Sequence, residues 1–215
     1  MGGRHEDSGC WSDGCDGTQS GKACTCTRTL RYGRCSPSGA TVICRPAVLG
    51  PRGDVLSPGG LTGALDGVEA VISCIGPEKN LSPGTLMSDG VASILTECKR
   101  ANIRRFIMQS GIGLSDGHEL SCPSRFVVRL SSRIFTAAII DKAVAERMTQ
   151  KIDMEWVIVR PVGLLDRPAK GRYTAGPFAR VAPLVPLSFD DCADCLLRAA
   201  TDEPNWIGKI VNVGS

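Results

Sequence analysis

The chain has 215 residues, of which 42% are hydrophobic and 22% charged; this suits one folded α/β domain and excludes an intrinsically disordered chain. A net charge of +3 is too small to indicate nucleic-acid binding, and no apolar run reaches the roughly 18 residues of a membrane span. The first residues contain no apolar signal core. We therefore expect a cytoplasmic protein with neither nucleic acid nor a membrane as its partner.

The N-terminal segment 1–38 has an irregular composition rich in cysteine and glycine. Six of the eleven cysteines fall within the first 44 residues, whereas the others are scattered through mostly apolar segments, as is typical of buried thiols in a reducing compartment. A zinc or disulfide module is one interpretation of the N-terminal cysteines. Their spacing offers no paired C-x-x-C knuckles, however, so we expect no metal site.

Strand-like and helix-like segments alternate through the remainder, 39–215. In chain order the pattern predicts a strand at 68–76, a helix at 87–102, a strand at 105–110, a helix at 134–150, a strand at 154–160 stopped by Pro161, a helix at 188–201 with Ser188 or Asp190 as its N-cap, and a strand at 210–213. Such alternation, with apolar strands, predicts an α/β fold built on a Rossmann-type doubly wound parallel sheet.

Ligands of doubly wound sheets bind beyond the carboxyl ends of the strands. The segments at those ends are rich in glycine and small residues, which let a flat cofactor approach the backbone. They are 53–55, 73–76, 110–113 and 160–163. Any one of them could be an ordinary turn, but four in this order favour a cofactor cleft.

These segments resemble the atypical short-chain dehydrogenase/reductases of the NmrA-like and flavin (biliverdin) reductase-like group. The resemblance rests on four segments. The first two are G-D-V-L at 53–56 with L-D-G-V-E-A-V-I-S-C-I-G at 65–76, and R-R-F-I-M-Q-S-G-I-G at 104–113. The other two are the K-x-x-x-E of D-K-A-V-A-E at 141–146, followed by a strand ending in R-P, and G-R-Y-T-A-G at 171–176, where the group has a short strand. It covers about three quarters of the chain, and it implies an NAD(P)H-binding oxidoreductase.

The resemblance also implies a role for individual residues. Ser110 would lie near the nicotinamide and the substrate, and Lys142 would reach the nicotinamide ribose; both are catalytic candidates. The other cofactor-binding candidates are Asp54 and Val55 at the adenine, Ser73, Cys74, Ile75 and Gly76 under the adenosine and pyrophosphate, and Pro161, Val162, Gly163 and Leu164 beside the nicotinamide ring. In the family an arginine often follows the second strand, which favours NADP(H) over NAD(H); Arg45 is the candidate in the written frame, and an out-of-frame arginine is the other.

One departure from the family bears on its chemistry. Typical members carry a tyrosine proton donor four residues before the lysine, and here that position is Ala138. The departure favours the flavin-reductase-like members, in which hydride passes to a small organic acceptor such as a flavin, quinone or carbonyl compound with little acid chemistry from the protein. It equally suits an NmrA-like sensor that binds NAD(P) and a protein partner without turnover. Lys142 could instead be a solvated helix residue paired with Glu146.

Two further groups of residues have simple interpretations. Cys192 and Cys195 form a C-x-x-C inside a predicted helix, which favours a core or surface role over a redox role. His5 and His118 are the only histidines, which excludes triads and metal sites built on histidine.

A dinucleotide-binding domain should open with a strand, a glycine loop and a helix, and 1–38 shows none of these. The genetic code limits the codons that can encode these residues. If those codons are read one nucleotide later, they permit V-G-A-T-G-A-T-G-R-R-V-A-K-L-A-L-A-H-G-H, followed by S-V-T-V-V-V-R. In this shifted frame the codon at Trp11 can encode only glycine, and the codons at Asp13 and Asp16 can encode only threonine or methionine. We therefore predict that 1–38 is a frame-shifted first strand, glycine loop and helix, with the frame restored between about 37 and 53.

Overall fold

The computed structural model describes residues 24–26, 55–56, 60–76, 84–115 and 136–215 of the chain, with the backbone alone for 24–26 and 136–138. Arg45 and Asp54 lie outside these ranges, as do both histidines and the predicted glycine loop. Within the described part, no helix combines the length and the apolarity that a bilayer crossing requires.

A six-stranded sheet forms the centre of the fold, in the order β1-β2-β3-β4-β8-β6. Its four middle strands are parallel to one another, while β1 and β6 run antiparallel to their neighbours. A separate pair, β5 and β7, is parallel. The strands are β1 (Cys24–Cys26), β2 (Ala70–Ser73), β3 (Arg105–Gln109), β4 (Glu155–Pro161), β5 (Leu164–Leu165), β6 (Thr174–Gly176), β7 (Leu187–Ser188) and β8 (Lys209–Gly214).

Helices cover both faces of the sheet, because the middle strands bury apolar side chains on both sides. The helices are α1 (Leu86–Arg100), α2 (Thr136–Gln150) and α3 (Phe189–Thr201), with short 3-10 helices at Ile112–Leu114 and Pro204–Trp206. Successive residues of each strand face opposite layers. Val71 and Phe106 pack in one core with residues of α1 and α2, whereas Ile72 and Ile107 pack in the other with residues of α3.

Each helix N-terminus needs acceptors for its free backbone N–H groups. Ser188 caps α3 locally, because its Oγ accepts a 3.0 Å hydrogen bond from the Asp191 amide. The N-terminus of α1 has no side-chain cap at its own N-cap residue, Thr85. The buried carboxylate of Asp141, on α2, instead accepts from the amides of Met87 at 2.8 Å and Ser88 at 3.1 Å. The start of α1 is therefore held by α2.

The structure confirms the predicted alternation from 68 onward and selects Ser188 as the N-cap of α3. The predicted end of this strand, at Arg160, is one residue short, since Pro161 is the last residue of β4 and pairs with Val213. The proline is tolerated because β3 has already ended at Gln109, opposite Val159, so no ladder partner needs the N–H that proline lacks. A three-residue strand, β1, also occurs inside the segment predicted to be irregular.

Candidate functional site

A pocket of about 400 Å³ lies beyond the carboxyl ends of β2, β3 and β4. This is the edge at which parallel sheets bind their ligands. Three strand-end segments and one residue of α2 supply the described part of its walls, and among these residues Lys142 is the only one with a charged side chain. The lining residues are Cys74, Ile75, Gly76, Gln109, Ser110, Gly111, Ile112, Gly113, Lys142, Pro161, Val162, Gly163 and Leu164.

Ser110 is buried where β3 gives way to the pocket, with 5% of its surface exposed. Its amide donates a 2.7 Å hydrogen bond to the carbonyl of Val159, which fixes the residue against β4. Its Oγ has no hydrogen-bond partner among the described residues. An unpaired buried hydroxyl costs about 1–3 kcal/mol, so this hydroxyl is suited to bind a ligand group that enters the pocket.

Lys142 lies on α2 with a partly buried side chain that reaches the pocket wall. A methyl group placed on Gly111 would lie 3.5 Å from its Nζ, an ordinary contact distance, so the ammonium lies close to the backbone of Gly111. Burial lowers the pKa of Lys142 from its ordinary value, and the negative charge of Glu146 opposes this effect. No carboxylate lines the described pocket. The pocket therefore presents a cation and a hydroxyl, a combination suited to hydroxyl, carbonyl or anionic groups of a ligand.

The alternative interpretation of Lys142, a solvated lysine paired with Glu146, does not hold in this structure. Glu146 is buried and binds Arg160 through both oxygens, with Nε–Oε1 at 3.0 Å and Nη2–Oε2 at 2.6 Å. Sequence reasoning missed this ion pair because the i,i+4 spacing of Lys142 and Glu146 favours a local pair, whereas Arg160 arrives from the next strand.

The third wall, 161–164, is held from two sides. The Val162 amide donates to the carbonyl of Val213 at 3.1 Å, and the Leu187 amide donates to the carbonyl of Gly163 at 2.9 Å. Leu164 continues into β5, which pairs with β7 at the start of α3. The wall is therefore fixed by the sheet on one side and by the α3 layer on the other.

Asp191 holds the chain that follows β5. This buried carboxylate accepts 3.0 Å hydrogen bonds from the amides of Lys170 and Gly171 and a 2.6 Å bond from Ser188 Oγ. Burial acts to raise the pKa of Asp191, but these hydrogen bonds and the charge of Arg167 lower it below its ordinary value. The side chain is therefore an ionised anchor rather than a proton donor.

The structure brings most of the predicted cofactor-binding residues together around this pocket. Two described candidates lie off its lining: Val55 is fully buried in the core, and Ser73 is buried with an unpartnered Oγ. Those on the lining are Cys74, Ile75, Gly76, Ser110, Lys142, Pro161, Val162, Gly163 and Leu164.

Gln109 is a lining residue that the sequence analysis did not select, although a polar residue ending an otherwise apolar strand was a usable signal. The prediction that Cys192 and Cys195 lie within a helix is confirmed, and of the two helical roles considered the structure shows the core one, because both are buried residues of α3. Burial raises the pKa of the Cys195 thiol to about 12 and that of the Cys192 thiol well above its ordinary value, which disfavours the reactive thiolate.

The described residues fit one end of a dinucleotide. Ser110 Oγ has no hydrogen-bond partner among the described residues, and Lys142, whose ammonium lies near Gly111, lines the same pocket. These groups suit the hydroxyl and amide groups of a nicotinamide riboside. The glycine loop that would hold a pyrophosphate falls outside the described residues.

Comparison with known proteins agrees with this geometry. Residues 41–203 match the model of a family described as NAD(P)H-binding. Among solved structures, the chain is similar to a short-chain dehydrogenase/reductase from Veillonella parvula in complex with NADP, with 24% identity over 76% of this chain and 70% of that one, at a TM-score of 0.58. It is also similar to the anaerobillin reductase ChuY from Escherichia coli O157:H7, with 21% identity over 75% and 72% of the chains, at a TM-score of 0.59.

A third similar structure is a putative NAD-dependent epimerase/dehydratase from Bacillus halodurans, with 20% identity over 74% of this chain and 69% of that one, at a TM-score of 0.55. At these identities the likeness establishes the Rossmann fold alone. The family match spans more than half of the sequence, so the chain belongs to the NAD(P)H-binding family.

Proposed function

We propose that this protein is an NAD(P)H-dependent oxidoreductase that transfers hydride to a small organic acceptor, namely a flavin, a quinone or a carbonyl compound. The observation that carries the proposal is the pocket at the strand ends, where the unpartnered Ser110 hydroxyl and the Lys142 ammonium line one cavity. The cofactor, when bound, supplies the hydride, and the protein supplies its orientation. Ser110 would contact the nicotinamide or the acceptor, and Lys142 the nicotinamide ribose.

The proposal is tested by steady-state oxidation of NADPH with flavin and quinone acceptors. Ser110→Ala is expected to reduce kcat about tenfold or more, with a smaller change in NADPH affinity, because it removes a hydroxyl that meets the reacting groups. Ser115→Ala, just beyond the pocket, is the matched control. Unchanged turnover in Ser110→Ala would remove this serine from the site.

NADP(H) is the cofactor we propose over NAD(H). The support is Arg45, a cation in the position where the family often carries one, together with the NADP found in the similar Veillonella parvula protein. Titration of NADPH and NADH against the wild type and Arg45→Ala tests the preference. We expect Arg45→Ala to weaken NADPH binding and leave NADH binding unchanged; equal effects on both would contradict a 2′-phosphate contact.

A second candidate is a sensor that binds NAD(P) and a protein partner without turnover. Ala138 favours it, because the usual tyrosine proton donor of the family is absent. The same assay separates the two proposals. A sensor binds NADPH with no oxidation above the uncatalysed rate for any acceptor, whereas an oxidoreductase sustains turnover with at least one.

A further inference from the structure

The ion pair between α2 and β4 lies directly behind the candidate site. Arg160 binds Glu146 through two parallel hydrogen bonds of 3.0 and 2.6 Å, and the side chains are only 13% and 5% exposed. A two-point guanidinium–carboxylate contact fixes orientation as well as distance. It joins the helix that carries Lys142 to the strand that ends at the pocket wall.

Glu146 is also the natural local partner of Lys142. The two residues lie one helical turn apart, at the spacing where lysine and glutamate side chains pair on a helix surface. Yet the described structure contains no Lys142–Glu146 ion pair, because the carboxylate is turned to Arg160 and the ammonium to Gly111. Two cations therefore stand within reach of one buried carboxylate, and Arg160 is the one that holds it.

Other charged groups on the packed elements are engaged elsewhere or lie at the far end of the sheet. Asp141 accepts from two α1 amides, Asp89 accepts from the Thr85 hydroxyl, and Glu155 binds Arg104 and Arg105 at the opposite end of β4. The remaining charged residues of α1 are Glu97, Lys99 and Arg100, in its last turns, and the 3-10 helix Ile112–Leu114 carries no charge. Among the described residues, Glu146 is the one charged group that shifts the pKa of Lys142.

We propose that Arg160 is a positioning residue for the site: by occupying the carboxylate of Glu146, it keeps that carboxylate from capturing Lys142 and leaves the Lys142 ammonium directed at the pocket. The proposal gives the K-x-x-x-E and R-P segments one shared purpose. Pro161, next to Arg160, also lines the pocket, so the same pair ties this lining segment to the helix that carries Lys142. Only the benefit to cofactor binding rests on the proposed function.

The test measures the Lys142 amine itself, in the full chain without cofactor. Trace acetylation with acetic anhydride across a pH series, quantified by mass spectrometry, reports the deprotonated and accessible fraction of each lysine. The exposed Lys151 is the internal reference. In Arg160→Met the freed carboxylate is expected to pair with Lys142 and slow its acetylation several-fold. In Glu146→Gln the loss of the negative charge is expected to speed it several-fold.

The two variants are expected to change the rate of Lys142 acetylation in opposite directions, and this distinguishes positioning from a merely structural role. If the pair only holds the fold together, both variants loosen the same contact and acetylation of Lys142 changes in the same direction in both. That result, or no change in either variant, overturns the proposal. Glu155→Gln breaks an ion pair at the far end of the same strand and should leave Lys142 unaffected.

Two further variants keep the test decisive if Arg160→Met does not fold. Arg160→Lys retains the charge without the two-point contact, so it should slow Lys142 acetylation relative to the wild type, and an unchanged or faster acetylation would contradict the proposal. The double variant Glu146→Gln/Arg160→Met removes both charges of the ion pair and should acetylate like Glu146→Gln. A double variant that acetylates slowly would contradict the proposal.

NADPH titration separates failure of this inference from failure of the proposed function. Slowed acetylation in Arg160→Met, with no NADPH binding by the wild type or by the protein expressed from the restored frame, supports positioning and refutes the dinucleotide site. Tight NADPH binding by the wild type, with unaltered acetylation in Arg160→Met, supports the site and refutes positioning.

Discussion

At the scale of single residues, the pocket combines features that cost stability when it is empty. Ser110 buries an unpaired hydroxyl, and Lys142 holds an ammonium in a partly desolvated position. A core selected for stability alone would fill these positions with apolar side chains. Such costs are typical of binding sites, where a ligand supplies the missing interactions.

Lys142→Met tests that cost. Because burial lowers the pKa of Lys142 from 10.5 in the folded state, the unfolded chain binds this proton more tightly, and stability rises with pH between the two pKa values. Below the lowered pKa the ammonium destabilises the fold in full, and that penalty disappears as the pH approaches 10.5. We therefore expect Lys142→Met to raise the free energy of unfolding at neutral pH, with a gain that shrinks at alkaline pH.

Urea unfolding of Lys142→Met and the wild type across a pH series measures this difference. Lys151→Met, at an exposed lysine, is the control and should show no pH-dependent gain. The same substitution should weaken NADPH binding by about 1.5–3 kcal/mol, the usual strength of a hydrogen bond to a charged group. A pH-independent stability difference would contradict desolvation of Lys142.

At the scale of elements, α2 organises the site through three residues within six positions. Asp141 holds the start of α1, Lys142 faces the pocket and Glu146 binds Arg160 of β4. The helix itself was predictable from its pattern, but these attachments were not. Each joins residues far apart in sequence, and a local pattern carries no information about which distant partner a buried carboxylate will meet.

The cap supplied by Asp141 makes a prediction about stability. Asp141→Ala leaves the buried amides of Met87 and Ser88 without their acceptor, so the free energy of unfolding should fall by about 1–3 kcal/mol. Asp141→Asn keeps one acceptor oxygen and should lose less. Urea unfolding checks both values against Asp153→Ala, at an exposed turn just beyond α2. Equal losses in Asp141→Ala and Asp153→Ala would contradict the cap.

At the scale of the whole molecule, the sequence predicted the parallel sheet from β2 onward and the strand ends that build the pocket. The apolar runs and the glycines that follow them are local features of the sequence, and their favourable arrangement is a buried parallel sheet with the glycines at its carboxyl edge. The antiparallel edges were not predicted as such. The direction of β1 differs from the one that a doubly wound sheet requires. Such sheets place a parallel first strand beside the fourth. Here a three-residue antiparallel strand, β1, lies next to β2.

The frame shift predicted in 1–38 would account for that mismatch and stays a prediction. We expect the gene, sequenced across its first sixty codons or so, to differ by one nucleotide and to restore G-A-T-G-A-T-G-R. A protein expressed from the restored frame should bind NADPH and unfold cooperatively, whereas the present chain should bind it weakly, because a helix N-terminus normally holds the pyrophosphate. An unaltered nucleotide sequence would establish the cysteines as genuine and leave the fold without its glycine loop.

The bridge from Asp141 to the start of α1 has a consequence for how the protein reports ligand binding. Asp141 precedes Lys142 directly, so any ligand that immobilises Lys142 also steadies the carboxylate that holds the Met87 and Ser88 amides. Hydrogen–deuterium exchange of these two amides should slow when NADPH binds, whereas the Ala101 amide at the other end of α1 should exchange at an unchanged rate. The exchange rate of the amides at the beginning of α1 would thus report whether the site is occupied, without any acceptor substrate.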